Sequence, residues 1–120
     1  MTLRRWATFL IIILSALAGC TAPTAGPAIL YLAPGPNGAT QLYRLDPDAT
    51  AARQLTGVDD PRAPELIDFA AAPDGRRIAY TTQAAGGDSA LRIIDANGGN
   101  DKSLAPCPQA ECSGPVWSPD

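Results

Sequence analysis

Beyond residue 27 the chain alternates short apolar runs with clusters of Pro, Gly, Asn and Asp. No window sustains the period of about 3.6 residues that an amphipathic helix requires. Residues 28–32, 41–45, 52–56, 66–71, 76–82, 90–94 and 102–104 carry the apolar, aromatic and β-branched residues of strands. Turn chemistry separates them. Pro34-Gly35-Pro36-Asn37-Gly38 stops the first run, Asp46-Pro47-Asp48 the second, and Asp95-Ala96-Asn97-Gly98-Gly99 the sixth. Pro73-Asp74-Gly75 predicts a tight hairpin, because Pro presets φ while Asp and Gly tolerate turn conformations. Residues 58–64, with two prolines and two aspartates, read as a loop. The expectation is an all-β chain of short antiparallel strands.

The order of these runs repeats. Ile29 and Tyr31 match Ile78 and Tyr80 at an offset of 49. Leu42, Leu45 and Asp46 match Leu91, Ile94 and Asp95 at the same offset, as Leu55 matches Leu104. Pro73-Asp74 returns as Pro119-Asp120 at an offset of 46. A period in this range marks propeller blades of four strands, since one blade cannot bury both of its faces alone. The stretches Phe69 to Tyr80, Leu91-Arg92-Ile93-Ile94-Asp95 and Val116-Trp117-Ser118-Pro119-Asp120 resemble the Pro-Asp repeats of TolB-type β-propellers. Similar repeats occur in the propeller domains of prolyl-oligopeptidase-like enzymes. Trp117-Ser118-Pro119-Asp120 matches that pattern best, whereas Ala71-Ala72 stands where Trp-Ser is expected.

The resemblance implies a layout. Residues 66–72 form an inner strand, 76–82 and 90–95 middle strands, and 101–105 the outer one. Residues 28–56 supply three strands of a preceding blade, and 114–118 begin a third. The expectation is about two four-stranded antiparallel blades of an incomplete β-propeller over residues 28–120, in an N-terminal part of a longer protein. Tyr31, Tyr43, Phe69, Tyr80 and Trp117 are expected to fill interfaces between strands.

Residues 1–27 follow a different plan. Arg4 and Arg5 precede an almost wholly apolar run, residues 7–14, and Leu17-Ala18-Gly19-Cys20 closes it. The run has the length of a secretory h-region and falls short of the roughly 20 residues that span a bilayer. The whole resembles the signal peptide and lipobox of bacterial lipoproteins. That resemblance implies cleavage between Gly19 and Cys20, removal of residues 1–19, and lipid on Cys20. Each buried methylene contributes about 0.8 kcal/mol, so several acyl chains hold a soluble domain firmly where one is marginal. Residues 20–27 are then a short tether. The expected location is the cell envelope, anchored to the membrane through lipid and facing the periplasm or the cell exterior.

Loss of Arg4 and Arg5 leaves seven basic against twelve acidic residues, a net charge of −5 with the amino terminus acylated. An acidic chain without His and without a basic cluster is a poor nucleic-acid binder. Cys107 and Cys112 remain as an even pair in an oxidising compartment, and a structural disulfide is the favoured reading. A bridge across so short a loop contributes about 2 kcal/mol. A metal site is disfavoured, because no His accompanies the pair. The spacing also departs from the redox-active Cys-x-x-Cys.

Catalytic chemistry is missing from the pattern. Without His no Ser-His-Asp or Cys-His arrangement is complete within the chain. Asp46, Asp48, Asp59, Asp60 and Asp95 sit at strand ends and in loops, where breaking strands and closing turns accounts for them. No cofactor or metal is expected. The leading reading is a non-enzymatic, lipid-anchored scaffold that presents propeller loops to an envelope protein. The alternatives are the propeller part of a larger prolyl-oligopeptidase-like hydrolase and a ligand-sensing propeller.

Overall fold

The computed structural model describes residues 26–119. The leader, the Gly19–Cys20 junction, most of the tether and Asp120 lie outside the described residues. Among the described residues the fold is all-β, with seven strands in two antiparallel sheets. The first sheet orders β1 (Ile29–Pro34), β2 (Thr40–Leu45) and β3 (Arg53–Gln54). The second orders β4 (Glu65–Ala71), β5 (Arg77–Gln83), β6 (Ser89–Asp95) and β7 (Lys102–Cys107). Every connection within a sheet joins sequence neighbours, so each sheet is a meander and its strands run alternately up and down.

The turns obey the repeat. Gly38 donates to the Gly35 carbonyl at 2.9 Å, and one period later Gly87 donates to Ala84 at 2.9 Å. Ala49 donates to Asp46 at 3.0 Å, and one period later Gly98 donates to Asp95 at 2.8 Å. The Pro73-Asp74-Gly75 turn closes the β4–β5 hairpin, with Gly75 donating to Ala72 at 2.9 Å. Gly75 adopts φ +69°, a left-handed conformation that a Cβ disfavours. The Asp74 carboxylate accepts from the Arg76 N–H at 2.9 Å, and Asn37 and Asn97 do the same for Ala39 and Gly99. Short polar side chains therefore satisfy backbone donors that the turns leave free.

The two sheets pack face to face. Leu42 and Leu55 of the first meet Leu66, Ile78, Tyr80 and Ile94 of the second, with Leu30, Leu32 and Phe69 packed around them. Strand alternation explains the choice. Leu32 opposes Leu42 on one face of the first sheet, and Ile78 opposes Ile94 on one face of the second. Equivalent residues fare differently by position. Ile78 is fully buried, whereas Ile29 at the same place in the first sheet is 59% exposed. Tyr80 is 2% exposed and Tyr31 is 37% exposed.

Several elements depart from the sequence expectation. The strand expected at 52–56 is reduced to Arg53–Gln54. Leu55 still donates to the Leu42 carbonyl, but the Thr56 hydroxyl replaces backbone as acceptor for the Leu42 N–H, and Gly57 at φ +61° then turns the chain away. The outer strand expected at 101–105 spans Lys102–Cys107, with a bulge at Leu104, which has no opposite residue between Leu91 and Arg92 of β6. β4 also carries a bulge, at Ile67. The first sheet has the three strands expected of residues 28–56, whereas residues 114–118, expected to begin a third blade, join neither sheet among the described residues. Tyr31 and Tyr43 meet across the β1–β2 strand pair. They stack on the open outer face, ring centroids 5.8 Å apart and planes 19° from parallel.

Leu42→Ala is expected to lower the free energy of unfolding by about 2–5 kcal/mol, since the site is closed on all sides. Ile29→Ala is expected to change it by about 0.5 kcal/mol or less. Urea unfolding of the two variants reads the contrast, and equal losses would contradict the face assignment. Gly75→Ala is expected to cost about 1 kcal/mol from backbone strain alone, as nothing lies within 4 Å of the added methyl group.

Candidate functional site

Three polar clusters among the described residues are candidates for a site, each set by a sheet face or a turn. The first is a cluster on the face of the second sheet that meets the first. β5 and β6 place Tyr80 opposite Arg92. The Tyr80 hydroxyl donates to Asp101 Oδ1 at 2.6 Å and accepts from Arg92 Nε at 3.1 Å. Arg92 Nη2 stands 3.0 Å from the same carboxylate oxygen. Burial pushes the Tyr80 phenol well above its ordinary value, and the hydrogen bond to Asp101 adds to the shift. Burial opposes the Arg92 charge, yet Tyr80 and Asp101 outweigh it and hold the guanidinium above its usual range. A phenol so raised is a hydrogen-bonding strut and a poor general base near neutral pH.

The second place is the lower end of the sheets, where the 46–49, 72–76 and 95–99 turns meet. An open cleft of about 560 Å³ lies there, lined by Arg44, Arg76, Arg77, Asp74 and Asp95. Arg44 crosses between the sheets, donating to Asp46 at 2.6 Å and to the Ala96 carbonyl at 2.8 Å. Three arginines facing Asp46, Asp74 and Asp95 leave no net charge to draw an anionic ligand.

The third place is the far face of the second sheet, where the 111–119 segment lies. Asp68 accepts from the Thr81 hydroxyl with one oxygen and from the Gly114 N–H with the other. Trp117 Nε1 donates to the Ala70 carbonyl at 2.8 Å, and the Arg77 guanidinium lies 5.2 Å from the Trp117 ring centroid. Gly114 and Trp117 thus follow Asp68 and Ala70 at intervals of 46 and 47, which sets 114–117 alongside β4 in the same direction. Arg77 and Asp68 had no role assigned from the sequence. Their signal, an acidic residue in β4 and a basic residue in β5, gives no hint of which segment they meet.

Pro73, Asp74 and Gly75 stand together in the β4–β5 turn. Trp117, Ser118 and Pro119 follow Gly114 in the segment beside β4, and the Trp117 ring makes the contacts just described with Ala70 and Arg77. Cys107 and Cys112 have Cα atoms 6.1 Å apart, within disulfide range. Ser89 fastens their loop, donating to the Ala110 carbonyl at 2.7 Å and accepting from the Cys112 N–H at 2.8 Å. Among the described residues no three Cys, Asp or Glu side chains gather as a metal site would need. No family model, curated protein or solved structure matches the chain.

The raised Tyr80 pKa fixes a pH dependence. The folded protein keeps a phenolic proton that the unfolded chain releases near pH 10, so this contribution is complete below about pH 10 and fades as the pH rises further. Tyr80→Phe is expected to flatten that alkaline limb in chemical unfolding measured from pH 8 to 11. An unchanged alkaline limb would exclude Tyr80 as its source.

Proposed function

We propose that the chain is a lipid-anchored cell-envelope protein whose stacked β-repeats form part of a TolB-type propeller and act as a protein-interaction scaffold. One observation carries the repeat reading. Two turns of the first sheet recur one period later in the second, and the Ile-x-Tyr face of the second sheet is covered by the Leu face of the first. A ribbon of this kind gains stability by adding like neighbours and presents its turns at two ends. Charge balance in the Arg44 cleft and the strut-like role of Tyr80 favour a surface that binds protein over one that runs a reaction. The reading assigns no catalysis to this chain.

The anchor rests on the leader and on Gly19-Cys20. Export also supplies the oxidising compartment in which Cys107 and Cys112 bond, giving the 105–112 corner its closure. Wild-type protein is expected in the membrane fraction after a high-salt wash, and Cys20→Ala in the soluble or unprocessed fraction. Retention of a processed Cys20→Ala protein in the membrane would defeat the anchor. Thiol labelling of denatured, unreduced protein is expected to find neither Cys107 nor Cys112 free, and two reactive thiols would remove the disulfide. Affinity capture from envelope extracts is expected to return a stoichiometric protein partner. Recovery of none would defeat the scaffold role.

A further inference from the structure

The 108–113 stretch carries the chain from the end of β7 back to β4, and one covalent bond governs that return. Cys107 closes β7 and is bonded to Cys112. Beyond the bridge the chain meets β4 at Gly114, whose N–H donates to the Asp68 carboxylate, and at Trp117, whose Nε1 donates to the Ala70 carbonyl at 2.8 Å. The Arg77 guanidinium beside the Trp117 ring adds a contact to β5.

The bridge differs from one that holds a core. Leu42, Leu55, Leu66, Ile78, Tyr80 and Ile94 pack between the sheets, and no residue of 105–119 belongs to that cluster. Opening the bridge therefore removes no core contact. The loop is also short. Closure entropy grows with loop length, so a bridge between residues five apart contributes little and loses little when opened. The sulfurs are approachable as well. Residues 108–111 are all exposed, and Cys107 and Cys112 are half-buried. Exposed disulfides are the ones that thiols reduce readily.

The closed loop has its own cost. Gln109 adopts φ +57°, in the left-handed region that a side chain disfavours. Ser89, at the start of β6, fastens the loop by donating to the Ala110 carbonyl and accepting from the Cys112 N–H. Both bonds require Ala110 and Cys112 to stand where the bridge puts them.

We infer that the Cys107–Cys112 bridge is a redox site whose reaction partner is an external dithiol, and that its opening releases residues 114–117 from β4. One thiolate of the dithiol attacks a bridge sulfur, the S–S bond breaks and a mixed disulfide forms. The displaced cysteine leaves as a thiolate and takes a proton. The second thiol of the dithiol then attacks the mixed disulfide, frees the other cysteine and closes the dithiol into its own disulfide. Both electrons and both protons gained by the protein come from the dithiol. With the bridge open, the 108–113 stretch regains backbone freedom, which pulls against the Asp68, Ala70 and Arg77 contacts. The two sheets stay packed. The device needs neither the lipid nor a protein bound at the loops, so it stands apart from the scaffold reading.

Hydrogen exchange read by mass spectrometry on the full chain, before and after dithiothreitol, tests the release. Alkylation of the folded protein is expected to find Cys107 and Cys112 unreactive before treatment and both reactive after it. The amides of Ala110, Cys112 and Gly114 are hydrogen-bonded in the closed form. They are expected to exchange about tenfold faster on reduction, while the β5 amides keep their rate. Glutathione disulfide is expected to restore slow exchange. The Cys107→Ser, Cys112→Ser double variant is expected to exchange like the reduced wild type, with or without dithiothreitol. A bridge that resists dithiothreitol until the protein unfolds overturns the proposal, as does unchanged exchange at Gly114 after reduction. Acceleration of β5 together with Gly114 also overturns it, because the bridge would then support the whole fold. A double variant that exchanges as slowly as the oxidised wild type overturns it too.

Discussion

A small β-sheet with apolar residues on both faces needs a neighbour on each side, and this requirement governs the molecule. The Ile-x-Tyr pair of β5 loses nearly all contact with water because the Leu30, Leu32, Leu42 and Leu55 face lies over it. The same pair in β1 has no such cover and stays open. Full burial of one such side chain is worth about 1.5–3 kcal/mol. The difference between the two sheets is therefore a difference of neighbours, with chemistry held nearly constant.

Polar groups fix how the sheets meet. Arg44 reaches across the lower end to the Ala96 carbonyl, and Gln41 reaches across the upper end to the Pro64 carbonyl at 3.0 Å. Gln41 also accepts from the Thr56 hydroxyl at 2.8 Å, so one buried amide ties β2, the end of β3 and the 57–64 loop. Gly57 is needed at that corner: a Cβ there would come within 2.7 Å of both the Gln41 amide oxygen and the Ala63 methyl group. No buried side-chain nitrogen or oxygen among the described residues lacks a partner. Apolar faces supply the attraction, while these polar ties remove the freedom to slide.

Strands and turns were legible in the sequence because Pro, Asn, Asp and Gly mark each reversal chemically. Asn37, Asp74 and Asn97 signal turns, and their carbonyl or carboxylate oxygens close them. Burial was not legible, since Ile29 and Ile78 occupy like positions in like strands. The truncation of β3 escaped notice because a side chain, the Thr56 hydroxyl, substitutes for a backbone acceptor, and composition does not distinguish the two. Trp117 stood out as a motif residue, but its bond to the Ala70 carbonyl depends on where the 108–113 stretch returns the chain. Tyr80, Arg92 and Asp101 lie far apart along the chain, so only the β5–β6 register and the start of β7 bring them together.

The direction of the strands sets which end of the sheets the chain enters from. β1 runs from the lower end of the sheets to the upper, so the chain enters from the end that carries the 46–49, 72–76 and 95–99 turns. Nine Cα-to-Cα steps lead from Cys20 to Ile29, a reach of at most about 32 Å. Under the proposed anchoring at Cys20, the lower end faces the membrane and the 35–38, 57–64 and 84–87 loops face away from it.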